Sequence, residues 1–441
     1  MSLLRRLLGS RDRRLAFENL LFRLAALLAL GAATVLLARI GGPAVVGHYA
    51  LLRVLPWLLA MVLTFGYEGA IVYFLARRSG PAPGTRSTIM AIVAVGGLVG
   101  AALWFVAAPV IAARMLDGMA LPLVRAAAVL VPARALVAVG RQCLQGTQDL
   151  RGSNVNIALE AAAFLPLFAL LAAAGVGDSA AVLVGLVCSD LVTAAVSFAR
   201  LARSGFFAGM GTPTVDLARQ LCGFGVRTNS GYLLQLLNLR FDVVLVGAIT
   251  GAATVGTYAI ASRFAELILL VPHSVLYVLQ PRYTEMDRPT AAAAARRVLR
   301  PTMVLTAAAA APIGLGAGFV LPVVYGDAFA AAARPTQILL VGLVATGAAS
   351  VMTAFLYGDG RPGLVSIATG LGLVVMVAMD VVLIPSLQAV GAAIASSLSY
   401  VVSSLVLWLC FRAVVRSGVG DGGPEPAPPT TAAAGRSVTS R

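Results

Sequence analysis

Thirteen ionisable residues lie inside long apolar runs of this chain: Arg23, Arg53, Arg125, Arg134, Arg227, Arg240 and Arg263, against Glu68, Glu160, Asp190, Asp242, Glu266 and Asp380. A charge at the centre of a bilayer costs about 2.5 to 3.5 kcal/mol, so such residues face a protein interior or a wet cavity. The near balance of signs is what ion pairs holding helices in register require. Two arginines have spacing that suggests more. Arg53 follows Gly47 by six residues and Arg263 follows Gly256 by seven. At 1.5 Å per residue both fall about 14 to 17 Å below one membrane surface, facing each other. A guanidinium stays charged at any accessible pH and grips phosphate oxygens two at a time. Arg53 and Arg263, with Arg23 on the first helix, are therefore candidate ligands for a diphosphate. Glu266, three residues beyond Arg263 on the same helical face, is placed to neutralise it.

Thr228, Gln235, Asn238 and Asp242 follow one another at spacings of seven, three and four, a polar stripe expected to line water. Asp242 with Asn238 could bind a coupling proton or Na⁺; pairing with Arg134 or Arg240 is the alternative. Pro56 and Pro272 remove backbone hydrogen bonds deep in apolar runs and are candidate bending points. His273, beside Pro272, is expected to be packed and neutral. Cys143, Cys188, Cys222 and Cys410 show no ligand spacing with the two histidines, so no disulfide framework, metal site or cofactor is indicated.

The elements that must carry these residues follow from composition. Of 441 residues 59% are hydrophobic and only 12% charged, and mean hydropathy is +0.92. Soluble domains carry about 25% charged residues, and none hides this much apolar surface. The chain reads as an all-α integral membrane protein; a soluble enzyme, a DNA-binding factor and a secreted disulfide scaffold are excluded. The net charge of +15 comes entirely from arginine, and in this setting it marks membrane topology, with no nucleic-acid partner implied. Twelve runs are long enough to span: 17–39, 44–75, 88–113, 121–141, 153–174, 178–200, 219–248, 252–281, 301–324, 335–357, 361–384 and 388–412. With the N-terminus inside, only Arg39, Arg114 and Arg334 fall in outer loops, so both termini are expected in the cytoplasm. The expected organisation is a basic amphipathic cytoplasmic segment (1–16), an N-terminal six-helix bundle (17–200), a cytoplasmic linker (201–218), a C-terminal six-helix bundle (219–412) and a disordered tail (413–441). The arginine-rich stretch from Arg282 to Arg300 is expected on the anionic inner leaflet, as is the N-terminal segment.

The two bundles are repeats. Gly42 to Ala50 (GPAVVGHYA) returns as Gly251 to Ala259 (GAATVGTYA), matching at six of nine positions. Leu144-Gln145-Gly146 returns as Leu356-Tyr357-Gly358, and Ala180-Ala181-Val182 as Ala392-Ala393-Ile394, at nearly the same offset. Six spans per copy give both halves one topology, related by an axis along the membrane normal, with a cavity between them. Transporters place substrate at such an interface. A membrane-embedded sugar transferase would need a large outer loop to carry its site, and none is evident.

Several segments resemble, in order, the polysaccharide flippases of the MOP (multidrug, oligosaccharidyl-lipid, polysaccharide) superfamily, whose fold is MATE-like. They are Arg39 to Ala50, Leu144-Gln-Gly146, Asn238-Leu-Arg-Phe-Asp242, Val255-Gly-Thr-Tyr-Ala259 with Ala265-Glu266, Leu279-Gln-Pro281, and Leu383-Ile-Pro385 with Val390-Gly-Ala-Ala393. The resemblance implies an O-antigen, capsule or exopolysaccharide flippase of the cytoplasmic membrane. Such a protein moves a polyprenyl-diphosphate-linked oligosaccharide by alternating access, amid membrane lipids and alongside a polysaccharide polymerase and chain-length proteins. The related lipid II flippases are similar in carrying cavity arginines on their first, second and eighth helices, but usually have fourteen spans. A cation-coupled drug antiporter of the same superfamily is the alternative, and would show a more acidic, aromatic cavity.

Overall fold

The computed structural model describes residues 10–64, 68–76 and 82–417, with the backbone alone at 10–17, 20, 68–69, 227–230 and 232. The expected N-terminal segment 1–16 and tail 413–441 lie largely outside these residues, as do the side chains of Glu68, Arg227 and Thr228. Every regular element among the described residues is helical. Ten helical stretches are long and apolar enough to span a membrane, and two of these are double. Ser10–Leu63 breaks at Gly42, where φ is 65°, into α1 (10–41) and α2 (43–63, resuming as Glu68–Leu75). Pro362–Ser417 breaks at Gln388, where φ is 50°, into α11 (362–387) and α12 (389–417). Between them run α3 (Thr85–Arg114), α4 (Leu121–Gly146), α5 (Leu150–Ala173), α6 (Asp178–Arg203), α7 (Val215–Thr250), α8 (Ala252–Thr284), α9 (Arg288–Tyr325) and α10 (Asp327–Gly358).

Proline shapes several of these helices by removing a backbone donor and crowding the carbonyl four residues back. A 3₁₀ segment, Ala127–Val129, precedes Pro132 in α4; another, Glu266–Leu269, precedes Pro272 in α8; and α5 is interrupted at Ala163, just before Pro166. The helix runs through Pro56 without a comparable interruption. Within the stretch from Arg282 to Arg300, α9 already begins at Arg288, and Arg282, Arg296, Arg297 and Arg300 are exposed. The first turn of α9 is held to the α10–α11 loop, where Asp359 pairs with Arg288 at 2.7 Å and Arg361 at 3.0 Å.

The two halves meet most closely on the face opposite the termini, where the repeated motif crosses itself. A Cβ on Gly47 would lie 1.8 Å from the Ala252 carbonyl oxygen, and one on Gly256 would lie 1.8 Å from that of Pro43. Since 43 corresponds to 252 and 47 to 256 in the repeat, the contact is reciprocal, as across a twofold axis. Helix ends fasten the same face. The Asp117 carboxylate accepts from the Ala252 amide at 2.6 Å, an anion at the start of α8. Arg39 donates to the carbonyls of Val323 and, at 3.0 Å, Val324, a cation at the end of α9. His48 bridges the Asp117 carbonyl (2.9 Å) and the Ser179 hydroxyl (3.0 Å). On the terminal face the first turns of α7 rest on the end of α2, Phe224 stacking on Tyr73 at 4.5 Å. There the loop before α7 accepts from Arg86 through the Phe206 carbonyl.

Gly47→Ala and Gly256→Ala must each force α2 and α8 apart. Each is expected to lower unfolding stability in detergent by about 1 to 3 kcal/mol, the usual range for overpacking. Gly31→Ala, with no atom within 4 Å of its added Cβ, should leave stability unchanged.

Candidate functional site

Beneath this crossing α1, α2, α7 and α8 enclose a pocket of about 520 Å³, counted with its open mouth. Arg53, Arg240 and Arg263 line it together with Tyr49, Thr34 and Ser262, and no lining residue is acidic. Each arginine reaches it from nearly the same depth, eleven or twelve residues from the glycine breaks at 42 and 251.

The carboxylates answer most of this charge from behind the lining. Arg53 donates to the Tyr49 hydroxyl at 2.7 Å, one turn back on α2, and approaches Glu160 of α5 at 3.4 Å. Glu160 is held more tightly by Arg134 of α4, at 2.8 Å, and Arg134 reaches Asp190 of α6 at 2.9 Å. Two arginines and two carboxylates thus tie four helices of the first half together with no net charge. In the second half Arg240 clasps Glu266 with its two terminal guanidinium nitrogens, at 2.8 and 3.0 Å, and the Ser262 hydroxyl donates to the same carboxylate at 2.9 Å. Glu266 is therefore committed to Arg240 and not to Arg263. Among the described residues Arg263 has no hydrogen-bond or ion-pair partner, and its half-buried guanidinium lines the pocket.

The structure thus brings Arg53 and Arg263 together and adds Arg240, which the sequence reading counted among the buried charges without placing it here. Its equal distance from the Gly251 break was the available signal. Arg23 does not line the pocket. It is exposed and donates to Asn19 at 2.8 Å, on the same helical face as Leu30 and Thr34 but about 10 Å nearer the terminal face at 1.5 Å per residue.

Asn238 and Asp242 are buried within the second half. Asp242 accepts from Tyr258 at 2.5 Å and from Ser396 at 3.2 Å, bonding neither Arg134 nor Arg240. Asn238 accepts from Ser399 at 3.1 Å and donates to the Thr369 carbonyl at 3.5 Å. Asp380 on α11 is buried nearby, with neither carboxylate oxygen hydrogen-bonded among the described residues. The expected water-lining stripe on α7 is thus divided: Gln235 is exposed and Asp242 enclosed. Pro272 is buried while His273 is exposed, so this histidine is not the packed one expected. Among the described residues no cluster of histidine, cysteine or carboxylate side chains could hold a metal ion.

Among the described residues ten apolar helical stretches, two of them broken midway, form two reciprocally crossing halves with a cationic pocket at their interface, the architecture of a multi-pass membrane protein. The chain belongs to the polysaccharide biosynthesis protein family, whose model matches residues 20–287. It is 24% identical over 245 residues to the probable low-salt glycan biosynthesis flippase Agl15 of Haloferax volcanii. That alignment covers 54% of this chain and 50% of the relative, so the chain spans about half the length of the curated protein it matches. An inward-facing multidrug resistance MATE family transporter of the MOP superfamily shares the fold. Its TM-score is 0.74 at 16% identity, covering 90% of this chain and 96% of that one. The lipid II flippase MurJ, in an inward closed conformation, gives 0.72 at 15% identity over 89% of this chain and 87% of that one. These relatives are flippases and transporters, not enzymes.

The two kinds of charge should respond oppositely to removal. Asp190→Asn leaves the buried Arg134 with Glu160 alone, which Arg53 also approaches, and is expected to cost about 1 to 3 kcal/mol of stability. Arg263→Ala removes a charge without a partner and should leave stability unchanged or raised. Thermal unfolding of the purified variants distinguishes them, and a large loss on Arg263→Ala would mean that its charge is structural.

Proposed function

We propose that the protein flips a polyprenyl-diphosphate-linked oligosaccharide, a precursor of a surface polysaccharide, across the cytoplasmic membrane. The observation that carries this reading is the pocket between the halves, lined by three guanidinium groups and no carboxylate. A diphosphate entering it meets Arg263 free of partners among the described residues, with Arg53 and Arg240 beside it. Each can offer paired N–H donors in a low-dielectric setting. An organic cation, the usual cargo of a drug antiporter, would find guanidinium groups and no carboxylate in the lining.

In this reading both termini lie in the cytoplasm, as the arginine distribution supports, and the glycine crossing closes the outer face. Substrate enters from the terminal side, past Arg23, and is released when α2 and α8 part. Pro272, with the 3₁₀ segment before it, supplies a bend in α8 for this movement, and Pro56 a lesser one in α2. Asp242 with Asn238 takes up the coupling proton or Na⁺, next to Asp380. A polymerase and chain-length proteins would use the flipped lipid on the outer side.

Mass spectrometry of membrane lipids from a strain lacking the gene tests the reading. A polyprenyl-diphosphate oligosaccharide should accumulate and be cleared by the wild-type chain. Arg263→Ala, and more so Arg53→Ala with Arg263→Ala, should clear it at least about tenfold more slowly, the loss of one or two charge-assisted contacts. If nothing accumulates and drug sensitivity rises instead, the antiporter reading takes its place.

A further inference from the structure

A second and larger cavity lies inside the C-terminal half. It measures about 940 Å³ with its open mouth included and is walled by α7, α8, α10, α11 and α12. Pro272 forms part of its wall. On the terminal side of the Arg240–Glu266 pair, α8 passes through its 3₁₀ segment, and its remaining length, Leu270–Thr284, packs chiefly on α10 instead of following α7. The gap so opened is flanked by the exposed side chains of Gln235 and His273. Gln235, Asn238 and Leu239 line this cavity, while Arg240 and Val243 line the cationic pocket. One helix therefore forms a wall of both, and Gln235 and Arg240 are about 7 Å apart along it at 1.5 Å per residue.

The lining has a definite chemistry. No aspartate, glutamate or arginine contributes to it. Its polar groups are hydroxyls and amides, and several lack partners among the described residues: the Ser403 hydroxyl, which is buried, and the Gln235, Thr353, Tyr357 and Tyr400 side chains. The rings of Tyr357, Tyr400 and His273 add flat faces between them. An organic cation would find no counter-charge here. A polyprenyl chain would leave buried hydroxyls unsatisfied, at a cost of about 1 to 3 kcal/mol each. An uncharged sugar offers both what the hydroxyls need and a flat apolar face for the rings.

We infer that this cavity is the glycan subsite, binding the uncharged sugars next to the diphosphate while Arg53, Arg240 and Arg263 hold the phosphates. The inference rests on the flippase reading above and adds where its headgroup lies and what sugars it accepts. Anionic sugars would be disfavoured in a cavity that provides them no cation.

Binding to the full chain in lipid nanodiscs tests it, with two probes: farnesyl diphosphate, and farnesyl diphosphate carrying a neutral disaccharide, either di-N-acetylchitobiose or dimannose. Wild type should bind at least one disaccharide probe ten or more times tighter than the sugar-free one. In Gln235→Leu with Thr353→Val and Ser403→Ala that ratio should fall to about one, while the sugar-free affinity stays at its wild-type value and so reports a folded protein. Arg263→Ala should weaken all probes by the same factor and keep the ratio. A wild-type ratio of one for both sugars, or a ratio that survives in the triple variant, overturns the glycan subsite and leaves the diphosphate reading standing. Failure of wild type to bind any of the probes overturns both.

Discussion

The backbone contact between α2 and α8 is the constraint on which the rest of this structure depends. Two helices approach so closely only where neither presents a side chain, and the repeat supplies a glycine at the needed place in each half. The crossing brings the halves together on one face and forces the helices below it to diverge, since straight helices that touch at one end separate along their length. The pocket lined by Arg53, Arg240 and Arg263 is the space that divergence leaves. The helix-end contacts of Asp117 and Arg39 reinforce the same face, each matching a side-chain charge to the opposite end of a helix dipole.

The buried charges are arranged with this geometry in view. Desolvating a guanidinium is expensive unless a carboxylate accompanies it, and the carboxylates Glu160, Asp190 and Glu266 stand behind the pocket lining, not in it. They neutralise the arginines from the protein side and leave the cavity side cationic. Arg134, enclosed among four helices, is structural by this criterion, whereas Arg263 has no hydrogen-bond partner among the described residues and lines the pocket. Asp242 and Asn238 belong to a different layer, bonded to Tyr258, Ser396 and Ser399 inside the second half.

Much of this was legible in the sequence, because hydropathy and repetition are physical signals that survive without alignment. The helix runs were evident because each must cross the same thickness of hydrocarbon. The breaks at Gly42 and Gly251 were visible as one motif repeated, and the meeting of Arg53 and Arg263 followed from their matching depth. What was not legible depended on side-chain direction and partner choice. Along the chain Glu266 lies three residues from Arg263 and 26 from Arg240, yet the packing of α7 against α8 pairs it with Arg240. Arg23 shares a helical face with pocket residues but lies two turns away, a difference invisible until the position of the pocket along α1 is known. The cavity in the second half is lined from five helices, and no local pattern specifies how they come together. Counting helices posed the opposite difficulty: the kinked pairs run on without a loop, so continuity of helical structure hides boundaries that the glycine and the repeat reveal.

Ala44 and Ala253 occupy equivalent positions in the two repeats and are both exposed at the crossing. Spin labels attached there, in a chain whose four native cysteines are replaced, report directly on whether the crossing opens. Electron paramagnetic resonance of the labelled protein in nanodiscs should show one short separation without substrate. With a polyprenyl-diphosphate disaccharide present, a second and longer population should appear. A single short separation that persists while lipid is being translocated would contradict the account, because the α2–α8 crossing would then be a fixed support and not the outer gate.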